Sequence, residues 1–177
     1  EKGWKGYAKK SKELFHDLND ERGVAIAEVM EYVRNAERPF GTLNLSNLGV
    51  PQKVRALEIG VTRKRDLEAA KVLFNREFES ECRAQANPEW LARYLDTRER
   101  ILRRKTGSTK ANQGSLEALE IFEKLSSTLD EELQEKYLAR HHTPELREVS
   151  YSPTLIEAKE ASSDTSSRST PTAVRAS

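Results

Sequence analysis

The chain has one cysteine, Cys82, in 177 residues, so it cannot close a disulfide within itself. Cys82 reads as a small buried hydrophobe on a helix face rather than as a reactive thiol. Apolar residues make up only 36% of the chain, and no run approaches the roughly 18 needed to cross a bilayer as a helix. The opening Glu1-Lys2-Gly3-Trp4 does not read as a signal peptide, and without a Met it reads as the remainder of a longer chain. Catalytic signatures are missing too: there is no Gly-rich phosphate loop, no Gly-x-Ser-x-Gly and no Cys-x-x-Cys. His141 and His142 are adjacent, so on a helix they diverge, and nothing nearby has metal-ligand spacing. His16 is alone on a polar face. The expectation is therefore no catalytic residue, no metal and no cofactor: a non-enzymatic protein, cytoplasmic by default.

What is abundant is charge. Charged residues make up 33% of the chain and nearly cancel, leaving a net charge of +1. Bulk attraction to a polyanion is excluded, so any such binding must come from a local patch, while balanced charge permits close self-association.

The apolar spacing predicts an all-α fold, a largely antiparallel bundle of four to five helices. A first helix over about 4–18 places Trp4, Tyr7, Ala8, Ser11, Phe15 and Leu18 at three- and four-residue steps. Asn19-Asp20 breaks it and caps a second over 21–36, with Ile26, Val29, Met30 and Val33 on one face. Residues 40–61 carry Asn47, Gly49 and Pro51 and read as irregular, with 54–61 a short strand or extended cover. Thr62 is expected to cap a third helix over 63–83. Asn87-Pro88-Glu89 is the strongest start signal in the chain, combining a capping amide, a first-turn proline and an acid at the positive helix end. The fourth helix begins there, and Gly107 stops it. A fifth runs from about Ser115 with Leu119, Phe122, Leu125, Leu129, Leu133 and Tyr137 in one heptad-like stripe. Residues 1–149 form the expected bundle domain, with a basic inner loop at about 103–114. Residues 150–177, rich in Ser and Thr, are expected to form an extended or disordered tail.

Positive charge is concentrated at 87–110, where Arg93, Arg98, Arg100, Arg103, Arg104, Lys105 and Lys110 face Glu89, Asp96 and Glu99. Seven cations against three anions is a larger excess than the whole chain carries. Guanidinium forks match phosphate geometry, so these seven are the candidate RNA contacts. The competing reading is a solvated helix face near a helix C-terminus, which favours cations in any case. Asp96, within the cluster, is a candidate carboxylate beside the phosphates or at a subunit contact.

At Tyr94-Leu95-Asp96-Thr97-Arg98-Glu99-Arg100-Ile101 the chain resembles coat proteins of rod-shaped plant RNA viruses, the tobamovirus-like group. Trp4 opening the first helix and Arg22 opening the second are similar to that group as well. One departure is positional: the Phe-Glu pair found toward the C-terminal side of that family's bundle stands here at Phe78-Glu79. The resemblance implies a four-helix-bundle subunit that stacks with copies of itself into a helical rod around single-stranded RNA, in the virion and the host cytoplasm. Arg98 and Arg100 would touch RNA, and Arg98→Ala with Arg100→Ala would weaken binding without unfolding the bundle. The alternative is a helical adaptor that binds protein partners through the 115–137 stripe.

Overall fold

A computed structural model describes residues 2–106 and 113–141. These residues are all-helical, with no strand among them. The helices are α1 (Lys2–Asp17), α2 (Glu21–Arg34), α3 (Val50–Thr62), α4 (Leu67–Ala70), α5 (Arg76–Arg83), α6 (Glu89–Thr106), α7 (Gln113–Ser126) and α8 (Glu131–His141). Eight helices replace the expected four to five. The tail from 150, the centre of the basic loop and the side chain of Trp4 lie outside the described residues.

The bounds of the first two helices agree closely with the sequence, but not their faces: Tyr7, Leu18 and Met30, expected on apolar stripes, are exposed. Asn19 takes a left-handed φ of 52°, which an asparagine tolerates and which ends α1. Asp20 then accepts a hydrogen bond from the Gly23 amide at 2.8 Å and caps α2. The reversal brings the Phe15 ring onto Gly23 so closely that a Cβ there would lie 2.5 Å from a ring carbon.

Residues 40–61 are corrected. Two short 3-10 turns, Phe40–Thr42 and Leu45–Asn47, occupy the part rich in turn formers, but from Val50 the chain is helical. Pro51 stands in the first turn of α3, where a missing N–H breaks no hydrogen bond, so it starts this helix rather than preventing it. Val54, Ala56, Leu57 and Val61 are buried along α3.

The single helix expected over 63–83 is also corrected. Thr62 ends α3 instead of capping a helix beyond it, its hydroxyl donating to the Ile59 carbonyl at 2.8 Å. The chain then bends around Asp66, which is 3% exposed. Asp66 accepts from the Tyr32 hydroxyl at 2.9 Å and from the Phe40 amide at 3.1 Å. Arg63 donates to the Tyr32 carbonyl at 2.9 Å and to the Asn35 carbonyl at 3.3 Å, closing the C-terminal end of α2. After a second break at Phe74, Asn75 caps α5 by accepting from the Phe78 amide at 2.7 Å. The three- and four-residue spacing persists across both breaks because Ala70, Leu73 and Phe78 still point into the same core.

The stripe at 119–137 is divided as well. The hydroxyls of Ser126, Ser127 and Thr128 each bond back to a carbonyl three residues earlier, which competes with helix continuation and separates α7 from α8. Leu119 and Phe122 are buried, whereas Leu133 is 50% exposed.

The helix α6 is the centre of the fold. Leu91, Ala92, Tyr94, Leu95, Asp96, Thr97, Glu99 and Ile101 are all buried, and they cover most of the circumference of the helix apart from the side that carries Arg93, Arg100 and Arg104. It packs against α3, α5 and α7. On the outside, His141 of α8 stacks on Phe122 with ring centroids 5.1 Å apart and lies 3.8 Å from a Glu89 oxygen. Burial pushes its imidazole below the ordinary value, with Arg93 and Arg140 adding to the effect and Glu89 opposing it. A depressed histidine favours folding while neutral. That contribution is present above the ordinary pKa of about 6.5 and is lost as pH falls below it. The urea midpoint is therefore expected to drop between pH 7.5 and pH 5.5, and His141→Gln should flatten that part of the profile.

Candidate nucleic-acid interface

The strong cap at Asn87, whose side chain accepts from the Glu89 amide at 3.0 Å, sets the phase of α6 and so the direction of every arginine along it. The cluster expected at 93–110 divides into two parts with different surroundings.

The first part is engaged within the molecule. Arg93 donates from Nε to Glu58 of α3 at 2.7 Å, bonds the same carboxylate a second time through Nη2, and lies 4.8 Å from the Trp90 ring. The hydrogen bond to Glu58 holds its pKa above the ordinary arginine value, despite burial. Arg98 bonds Glu79 of α5 and donates to Glu99 at 3.0 Å, with its guanidinium 5.5 Å from the Tyr94 ring. Burial works against its charge, but the bonds to Glu79 and Glu99 outweigh it. Glu79 is shared with Arg83, which also bonds Glu117 of α7. Burial alone would raise the Glu79 carboxyl, yet its bonds to Arg83 and Arg98 hold it below the ordinary range. Charges thus alternate from Glu117 through Arg83, Glu79 and Arg98 to Glu99, linking α5, α6 and α7.

Glu99 completes the arrangement at the start of α7. A Cβ on Gly114 would lie 2.7 Å from its Oε1, so the carboxylate sits directly on the first turn of that helix. A buried acid at a helix N-terminus is where the backbone favours negative charge. This contact also shows that α7 runs back along α6. Asp96, 7% exposed, forms an ion pair with Arg100 at 3.2 Å. Its carboxylate therefore serves an arginine one turn away.

The second part lies at the end of α6. Arg103 is partly buried, and its Nε and Nη2 are shut off from solvent with no hydrogen-bond acceptor among the described residues. Arg104, next to it, is exposed. The side chain of Lys105 and the whole of Lys110 lie outside the described residues. The structure therefore brings Arg93, Arg98 and Arg100 together with carboxylates, and leaves Arg103 and Arg104 at the bundle end without them.

The distant acids that divide the cluster, Glu58 and Glu79, lie 35 and 19 residues from their arginines. No local spacing in the sequence marks them. Among the described residues no group of three or more His, Cys, Asp or Glu side chains is placed to hold a metal ion, and no helix is long and apolar enough to cross a membrane. A cleft of about 350 Å³ beside the α1–α2 bend is lined by Phe15, His16, Asp20, Glu28 and Asn44. Its acids are already occupied, Asp20 by the α2 cap and Glu28 by Lys12 and Arg38.

No protein-family model, curated protein or solved structure matches the chain.

Proposed function

We propose that this protein is a non-enzymatic, self-associating helical subunit that packages single-stranded RNA, gripping the ribose-phosphate backbone at the end of the α6–α7 hairpin. The observation that carries the reading is that Arg103 Nε and Nη2 are shut from solvent with no acceptor among the described residues. Leaving such N–H groups without an acceptor costs about 1 to 3 kcal/mol. A phosphate oxygen would supply the missing acceptor. Exposed Arg104 adds a second cation beside it, and Lys105 and Lys110 adjoin it in sequence. Arg93, Arg98 and Arg100 take a different role in this reading. They hold the helix that presents the tip, and Asp96 fixes Arg100 rather than meeting phosphate. Such contacts carry little base information, so binding would be tolerant of sequence and sensitive to salt. If the subunit is viral, it would act in the virion and the host cytoplasm.

The 115–137 stripe offers less to an adaptor. Its α7 portion is spent on packing against α6, and only its far end is exposed.

The test is fluorescence anisotropy of a labelled oligouridylate across a salt series. Arg103→Ala with Arg104→Ala is expected to weaken binding at least about tenfold. It should also reduce the slope of log K against log salt by about 1.4, the value for two phosphates no longer neutralised on a single strand. Circular dichroism should remain unchanged, since neither side chain holds an ion-pair partner among the described residues. Unchanged affinity and slope in that variant, or no binding by the parent protein, would remove the proposal.

A further inference from the structure

Helix α1 is packed on one side only. Phe15 lies against α2 at Gly23, and Lys12 donates to Glu28 of α2 at 2.6 Å. The adjoining side is open. Tyr7 is 74% exposed, Leu14 57% and Leu18 66%, three large apolar side chains along or just beyond a helix of 16 residues. Together with exposed Ser11 they fall at steps of four, three and four, the spacing of a coiled-coil seam. Nothing else in the described fold contributes such a row.

The charges beside this seam say what could cover it. The charged residues of α1 up to position 12 are all basic (Lys2, Lys5, Lys9, Lys10 and Lys12), and those from position 13 through the bend after it, Glu13, Asp17, Asp20 and Glu21, are acidic. On the flank away from α2, Lys10 and Asp17 are seven residues apart, both exposed, and neither makes an ion pair among the described residues. A helix that is basic at one end and acidic at the other complements a reversed copy of itself.

We propose that α1 is a self-association helix, on which a second copy of this chain docks its own α1 antiparallel about a two-fold axis. Tyr7 then lies opposite Leu18 of the second copy, and small Ser11 opposite its Leu14, so that a large side chain meets a small one across the centre. The same register sets Lys10 beside Asp17 of the second copy, twice by symmetry. A parallel pair would instead bring like charges level along the whole helix. The pairing does not depend on the RNA reading and does not use Arg103 or Arg104. Being isologous, it closes on itself, so it makes dimers and cannot alone propagate a rod. A 16-residue helix is about 24 Å long and offers less than the roughly 1,200 Å² of a standard interface, so the association is reversible and depends on concentration.

The experiment is sedimentation equilibrium of the full chain, nuclease-treated, over a range of concentrations at low salt. A monomer–dimer equilibrium is expected. Leu14→Glu should raise the dimer dissociation constant at least about tenfold, the equivalent of about 1.4 kcal/mol. Lys10→Glu should raise it about two- to fivefold by setting two carboxylates side by side, and Lys10→Glu with Asp17→Lys should restore it. Helix content should be unchanged throughout, because these side chains face away from the core. A monomer at every concentration, a dimer indifferent to Leu14→Glu, or a dimer that Lys10→Glu leaves as tight as before would each overturn the assignment.

Discussion

Replacing Asp66 by Ala is expected to cost about 3 to 5 kcal/mol of folding stability, a large share of the roughly 5 to 15 kcal/mol that a domain has in total. Asp66 is almost fully buried, and its two oxygens serve different segments, one taking the Tyr32 hydroxyl of α2 and the other the Phe40 amide at the first 3-10 turn. The substitution leaves both donors shut in without an acceptor. The losses reinforce each other, because Tyr32 and Phe40 also pack edge to face, with ring centroids 5.8 Å apart. In chemical denaturation the midpoint should fall sharply, and Tm should drop by about 10 °C or more. Tyr32→Phe is the natural comparison. It deletes one donor, keeps the ring contact and leaves the bond to Phe40, so its cost should stay near about 1 kcal/mol. If the two variants were equally stable, Asp66 would not be the joint between α2, the 3-10 turn and α4.

Arg98→Ala is the second large effect, and it reverses an expectation drawn from the sequence. As an RNA contact, Arg98 could be removed together with Arg100 without harm to the bundle. In the structure, Arg98 is the link between Glu79 and Glu99, and Glu99 is 3% exposed. Removing the guanidinium takes one counter-charge from buried Glu99 and one from Glu79, which is expected to cost on the order of 2 kcal/mol. Adding Arg100→Ala would also take the counter-charge from Asp96. The double variant should therefore be measurably less stable by urea denaturation, and any loss of RNA binding in it would be confounded with unfolding. Adding Glu99→Gln to Arg98→Ala should recover part of the loss, because a buried negative charge then disappears. A fully stable Arg98→Ala would mean that the chain of alternating charges contributes nothing to the joining of α5, α6 and α7.

The elements most legible in the sequence are those whose limits are local. Asn19-Asp20 and Asn87-Pro88-Glu89 carry their capping chemistry within a few residues, so α1, α2 and α6 stand close to where that chemistry puts them. The elements that differ are set by distant partners. Nothing near Thr62 announces that Asp66 will be claimed by Tyr32 and Phe40, yet that claim bends the chain and divides one expected helix into α4 and α5. Pro51 reads as a breaker among its neighbours but stands in a first turn, a distinction that depends on where the helix begins. The Ser126-Ser127-Thr128 run is legible in principle, since three consecutive hydroxyls can turn back on the helix, but the leucine spacing across it is the stronger signal. The arginine cluster obeys the same rule. Its location is plain from composition, whereas its division depends on Glu58 and Glu79, which only the fold brings near.

As far as Ile101, α3, α5 and α7 cover most of the circumference of α6, and the edge carrying Arg93 and Arg100 is partly open. Under the proposed reading, a polymer would engage this helix mainly at its tip, through about one turn of backbone. Such a narrow target would fix the angle of approach and give each subunit a small, directional grip. Long contacts would then have to come from many copies set side by side, and how those copies are spaced would decide how much of the polymer is covered.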